Sequence, residues 1–375
     1  GENVRFVVAC RQASAERYRS LPDQFVVAEM MTFDEDAIEK FVHQHFANHP
    51  ERATRLLDEI QRNSRIRGLA STPLFLTLIT LLFEQRGSLP KRRSEIYRTC
   101  VEMLLREWDE QRGQDRVSAV SIEGKEEFFR HLAWDLHSKG ARFVSRDEIT
   151  IYIAAFLPNV GLTGDDPTRV LDEIAAHHGI LRRYDNNWFG FVHFAFQEYY
   201  AAECIKPGVS LDYAINNRHR SWWQEVLRLY AGRDGDSGAM ITALLRERED
   251  IFRTNLILAG DCLGECDECS SELRDTVVRE LIDTTETVGV PVLDLRIWQA
   301  LVRIGGERVQ SYTWQAIASQ SLRADIRIGI IAEMTRWSPN EYIQPAVTRV
   351  RDRALGIPIR VALVDLIGAS GERAA

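Results

Sequence analysis

The stretch Trp188-Phe189-Gly190-Phe191-Val192-His193-Phe194-Ala195-Phe196-Gln197-Glu198-Tyr199-Tyr200-Ala201-Ala202 decides how this chain reads. Trp188 to Val192 is aromatic and β-branched, which suits a short strand. From Phe194 onward, Phe196, Tyr199, Tyr200 and Ala202 continue as a helix, and His193 stands at the joint. Upstream, Gly179 to Tyr184 reads as a second strand, with Asp185-Asn186-Asn187 as the connecting turn. A helix over Thr168–His178 comes before them. Helix, two-stranded wing and helix in that order form the pattern of a winged-helix domain.

The 375 residues are enough for several domains. Apolar content is 45% and charged content 27%, as in ordinary globular proteins. A net charge of -8 gives no whole-chain basic field, which argues against nucleic acid as a partner. The longest apolar run, Leu74 to Phe83, is too short for a membrane span, so no membrane partner is expected. The start shows no secretory pattern, and the six cysteines form no disulfide framework. A cytoplasmic setting is therefore expected.

Working outward, Phe6 to Cys10 is a continuous apolar run that reads as a buried parallel strand, with Arg11 at its carboxyl end. Gln24 to Met30 is a second short strand. Two strands do not make a stable doubly wound domain, so 1–31 reads as the end of a larger sheet. Helices follow from Thr32, where Thr32 and Glu35 have capping-box spacing. A helix over about Pro50–Gln61 comes next, and then a buried helix opened by Pro73. Arg86, Lys91, Arg92 and Arg93 form a basic cluster that reads as a solvated linker and helix start. Beyond it, helices are expected over Ser94–Gln111, Gly124–Lys139 and Arg146–Phe156. From Ser221 the chain alternates helices and short turns, among them Trp222–Ala231, Ile251–Glu265, Asp294–Ile304 and Ala324–Thr335. The expected divisions are 1–31, 32–90, 91–205 and 206–375. The expected fold is mostly α: a remnant of an α/β sheet, a helical domain, a winged-helix domain and a HEAT-like helical repeat array.

Three segments carry a resemblance. Val7-Val8-Ala9-Cys10-Arg11, the run from Thr72-Pro73-Leu74-Phe75-Leu76 to Arg86-Gly87-Ser88-Leu89-Pro90-Lys91-Arg92-Arg93-Ser94-Glu95-Ile96-Tyr97, and Phe191-x-His193-x3-Gln197-Glu198-Tyr199-x-Ala201-Ala202 resemble the NACHT-type NTPases of the STAND signalling class. The resemblance implies an ATP/ADP-controlled switch with Mg, in which Arg11 senses the γ-phosphate, Pro73 lies against adenine and His193 touches the phosphates. It also implies ligand sensing, oligomerisation and a setting such as bacterial defence signalling. Implied partners are the N-terminal half of the ATPase or an effector domain, and a protein ligand or further copies of the chain. Residue type alone reads differently: Arg11 as a solvated charge, Pro73 as a helix-starting core proline, and His193 as a half-buried histidine closing a wing.

No G-x-x-x-x-G-K-[ST] loop occurs in these residues, so this segment alone is expected not to hydrolyse ATP. A different class of function, a non-enzymatic helical scaffold for protein partners, stands beside the switch. The helix Thr168–His178 carries Asp172 and Glu173 against Arg169, a poor phosphate surface. Cys262, Cys266 and Cys269 have the spacing of an iron–sulfur site but lack the barrel pattern that goes with it, and zinc would need a fourth ligand. His43, His45, His177 and His178 lack the carboxylate spacing of a catalytic metal site, so neither catalytic nor metal-binding residues are assigned.

Overall fold

The structure, a computed structural model, describes residues 32–368 except 91, 111–119, 163–165, 178–179, 185–186, 234, 236, 267, 288–290 and 338. Both N-terminal strands and Arg11 lie outside the described residues, as does His178.

Four helices come first: α1 Glu35–His45, α2 Pro50–Arg62, α3 Ser64–Ala70 and α4 Pro73–Arg86. The cap of α1 is Asp34, not Thr32. Asp34 has extended backbone, and its Oδ1 accepts the Ala37 N–H at 2.8 Å. A carboxylate directly before the first turn also meets the positive end of the helix dipole. Helix α3 was not expected, because Gly68 weakens helix propensity. Burial of Ile66 and Leu69 overrides that weakness. Helix α4 is apolar on every side and buries Phe75, Leu76, Ile79 and Phe83. Gly87 stops it in the left-handed region (φ 75°), donating its N–H to Phe83 O.

The next unit comprises α5 Arg93–Glu110, α6 Ile122–Ser138, β1 Val144–Ser145, α7 Arg146–Phe156, α8 Pro167–His177, β2 Leu181–Arg183, β3 Trp188–Phe191 and α9 Phe194–Cys204. The wing has three antiparallel strands in the order β1-β3-β2, not two. Leu181 pairs with Phe191 and Val144 with Phe189. Strand β1 is two residues long, too short to show a period in sequence. It leads straight into α7 through a capping box between Ser145 and Glu148.

Ten helices complete the described chain: α10 Val209–Asn216, α11 Ser221–Ala231, α12 Gly238–Arg246, α13 Thr254–Glu265, α14 Ser271–Thr287, α15 Pro291–Ile304, α16 Glu307–Ala318, α17 Ala324–Trp337, α18 Pro339–Arg349 and α19 Gly356–Gly368. Helices α11, α13, α15, α17 and α19 pack on one another as an inner row, with intervening helices against them. Helix α10, unexpected from sequence, is a short link that precedes the row. Helix α13 begins at Thr254 and not at Ile251. Before it, Glu249 accepts the N–H groups of Asn255 and Leu256, and Asp250 those of Phe252 and Thr254. These carboxylates satisfy amides that have no helical partner, which fixes the turn ahead of the helix. The fold is thus mostly helical, with one small sheet in the winged-helix unit.

Gly190 on β3 is required by space. A Cβ there would lie 2.6 Å from the Arg142 carbonyl oxygen and 3.0 Å from the Phe143 ring. Gly190→Ala is therefore expected to lower unfolding stability by about 1–3 kcal/mol in chemical denaturation. Wild-type stability in that variant would show that the Arg142 backbone yields freely.

Candidate functional site

His193 is held by its own helix. It is the N-cap of α9, and its Nδ1 accepts the Ala195 N–H at 3.2 Å. That bond needs the Nδ1 lone pair, so the neutral ring carries its proton on Nε2. The ring stands edge-on to Phe75 of α4, with centroids 5.3 Å apart. Phe75 in turn packs on Tyr97 of α5 and Phe196 of α9. Pro73 is exposed, two positions before Phe75 at the start of α4. The structure therefore brings the start of α4 and the wing joint together across an aromatic cluster, while Arg11 lies outside the described residues.

The residues after His193 also have assigned tasks. Gln197 is buried, and its Nε2 donates to the Ala141 carbonyl at 2.9 Å, tying α9 to the segment before β1. His137 of α6 donates from Nε2 to the Trp222 carbonyl, and the Trp222 indole donates back to the His137 carbonyl. Burial pulls the His137 pKa down to about 4, so this reciprocal joint uses a neutral ring.

Arg93 departs most from its expected role. It was read as part of a solvated basic run, yet it is mostly buried between α5 and the inner row. Its guanidinium meets Glu225 of α11 at 2.9 Å and Glu265 of α13 at 2.7 Å. From there charges alternate along the row. Glu225 pairs with Arg228, Asp261 with Arg303, and Arg303 with Glu333 of α17. With the approach of Arg228 to Asp261 at 3.7 Å, these charges link the carboxyl-terminal halves of α11, α13, α15 and α17. Gly260 and Gly264 permit the close approach: a Cβ on Gly264 would lie 3.1 Å from the Arg303 backbone oxygen.

Burial opposes a charge on Arg93, but Glu225 and Glu265 outweigh it and hold its pKa above the ordinary arginine range. Burial likewise opposes a charge on Glu225, while Arg93 and Arg228 pull its pKa down. Among the described residues, Glu198 on α9 is the member without a short cation contact. Burial, and then the Glu225 charge, push its pKa up to about 8 against the opposing pull of Arg93, Arg228 and Arg142. A cavity of about 110 Å³ lies along the ladder between Arg93 and Arg303. That volume has room for a few waters but not for a nucleotide, which needs a cleft of roughly 300 Å³ or more.

The remaining candidates stay separate from this cluster. Cys262 and Cys266 are buried, and the Cys266 thiol donates to the Glu268 carbonyl. Cys269 is half-buried. Among the described residues no group of three His, Cys, Asp or Glu could hold a metal ion. His43 lies 3.6 Å from the Glu39 carboxylate and His45 3.1 Å from that of Glu84. Asp172 of α8 is taken up by Arg146 at 2.7 Å. Among the described residues no helix is long and apolar enough to cross a membrane.

Residues 93–205 match a family model described as the winged helix-turn-helix domain C-terminal to NACHT. The segment therefore carries a winged-helix domain of the kind that follows NACHT modules, and the match supports a NACHT-associated protein. No curated protein matches the chain.

Two outcomes follow. Arg93→Ala breaks two buried ion pairs by removing their shared cation and is expected to cost about 3–5 kcal/mol in chemical denaturation. A loss below about 1 kcal/mol would mean that water replaces the guanidinium without penalty. Because the folded Glu198 pKa lies above its unfolded value, the folded state holds a proton there that the unfolded chain releases. The Glu198 contribution to stability is therefore expected to fall as pH rises from about 5 through 8, against the opposite contribution of His137 between about 4 and 6.5. Glu198→Gln is expected to flatten that fall in a thermal melt series, and an unchanged slope would remove Glu198 as its source.

Proposed function

We propose that this chain is the regulatory part of a NACHT-type STAND NTPase, an ADP/ATP-controlled switch for ligand sensing and oligomerisation. On this reading 1–31 closes the ATPase sheet, 32–90 is the helical domain, 91–205 the winged-helix domain and 206–375 the HEAT-like array. The observation that carries the proposal is the meeting of His193 with Phe75, next to exposed Pro73, inside a chain whose 93–205 segment matches the NACHT-associated winged helix. A histidine ring protonated on Nε2 has the chemistry of a phosphate-oxygen donor, and an exposed proline offers an apolar face to adenine. These side chains fit the phosphate and base of a nucleotide at that joint, and its Mg would need oxygen ligands from elsewhere in the NTPase. Arg11 would complete the set from the ATPase sheet. The phosphate-cradling loop is not among these 375 residues, so ATP turnover is proposed for the assembled NTPase and not for this segment. In such a switch a nucleotide shifts the closed–open balance only by the difference in its affinity for the two states. Bacterial defence signalling is the setting proposed for the switch.

The test is nucleotide retention in the native polypeptide that includes the ATPase domain. His193→Ala is expected to speed ADP release about tenfold, the scale of one lost charge-assisted hydrogen bond, and to raise the oligomer fraction in light scattering. An unchanged ADP off-rate together with an unchanged oligomer fraction would remove His193 from the switch.

A further inference from the structure

Neighbours in the inner row run in the same direction. Arg218, just before α11, donates from Nε to Asn255 Oδ1 at the start of α13 at 2.6 Å, and Gly232, just after α11, approaches the Glu265 backbone at the end of α13. Leu295, early in α15, reaches Gly329 in the first half of α17, and Arg303 near the end of α15 meets Glu333 further along α17. Each of these parallel contacts also carries a cation–carboxylate pair across it, Arg228 with Asp261 and Arg303 with Glu333. Helix α19 is the last described member of the row and packs on α17 and α18.

One face of α19 is covered and the opposite face is bare. Ile359, Leu363 and Leu366 are buried, while Ile357, Val361 and Val364 are 69%, 54% and 55% exposed. Among the described residues α19 is the one helix with three exposed large apolar side chains. Arg360 and Asp365 flank this stripe on its two sides. Arg360 is half-buried, and its Nε is buried without a hydrogen-bond partner among the described residues, while Asp365 is exposed. We propose that α19 of a second copy of this chain covers the stripe, running parallel, so that two arrays join end to end with Arg360 of each copy against Asp365 of the other.

The charges select the occupant and its direction. Ile357, Val361 and Val364 recur at the alternating spacing of a paired-helix seam. In that register Arg360 and Asp365 take the two positions beside the seam that form ion pairs between helices. In a parallel pair those two positions face each other across the two-fold axis, so Arg360 meets Asp365 twice. In an antiparallel pair each faces its own kind, Arg360 against Arg360 and Asp365 against Asp365, which is repulsive. The parallel pair is also the contact that α11 with α13 and α15 with α17 already make, so the row continues unbroken from one copy into the next. The same patch is used on both copies, so the contact closes on itself and stops at two. This contact goes beyond the switch proposed above and does not rest on it.

Sedimentation velocity on the native polypeptide over roughly 1–100 µM tests the contact. A seam this short belongs with small, transient interfaces, so a monomer–dimer equilibrium in the micromolar range is expected. Arg360→Asp and Asp365→Arg are each expected to weaken the dimer about tenfold, and the double variant to restore it to within about threefold of wild type. Val364→Glu changes only an exposed position, so it is expected to melt with wild type and to weaken the dimer by about tenfold or more. Parallel pairing sets position 361 against itself, so Val361→Cys is expected to give a disulfide-linked dimer on mild oxidation. Ile151→Cys, exposed on α7, is the control and is expected to give none. A polypeptide that stays monomeric across the range overturns the proposal, as it does where a further helix of the same polypeptide covers the stripe. A dimer that Val364→Glu leaves unchanged, or a double variant no tighter than the single ones, also overturns it.

Discussion

A cation placed inside a helical stack must be matched by carboxylates in fixed positions, and Arg93 imposes that condition on half the molecule. Its two short contacts tie the first helix of the winged-helix unit to α11 and α13 together. The alternation then continues through Arg228, Asp261, Arg303 and Glu333. The pairs that cross between helices are satisfied only if neighbouring helices stay in register. Hydrophobic burial is non-directional and would tolerate sliding. The ladder, with close approach at Gly260 and Gly264, does not tolerate it.

The same helix that carries His193 also carries the ladder's least compensated carboxyl. Helix α9 begins at the His193 cap, ties back to Ala141 through Gln197, and turns Glu198 toward the charges around Arg93. The wing joint and the array junction therefore share one rigid element. Movement of the wing cannot leave the array junction unaffected, since α9 is packed between α6 and α11 and is apolar on nearly every side. The reciprocal bonds between His137 and Trp222 reinforce the same link with a neutral ring, which avoids burying another charge.

How much of this was legible depended on whether the signal was local. The two expected strands of the wing and the helix after His193 are written in consecutive residues, and the structure forms them where expected, with β1 added. The match of 93–205 to a NACHT-associated winged helix agrees with the motif reading of the same stretch. The cap of α1 went to Asp34 and not Thr32, because two adjacent oxygen side chains compete and only one has the right backbone position. Helix α3 was hidden by Gly68, whose propensity cost is overridden by burial. Arg93 was misread for a different reason. Within its own run it looks like any exposed linker cation, since nothing local announces Glu225 or Glu265.

The sequence by itself determined most of the helix order and the winged-helix pattern, because periodicity, caps and short motifs act over a few residues, while Pro73 and His193 were singled out by the resemblance to NACHT-type NTPases. Tertiary structure decided which helix faces meet, and with that which charges are buried. Only folding placed His193 against Phe75, Arg93 between Glu225 and Glu265, and Arg67 against Thr335. The physical reason is that desolvation and charge pairing depend on what surrounds a side chain in space, and those neighbours come from distant parts of the chain.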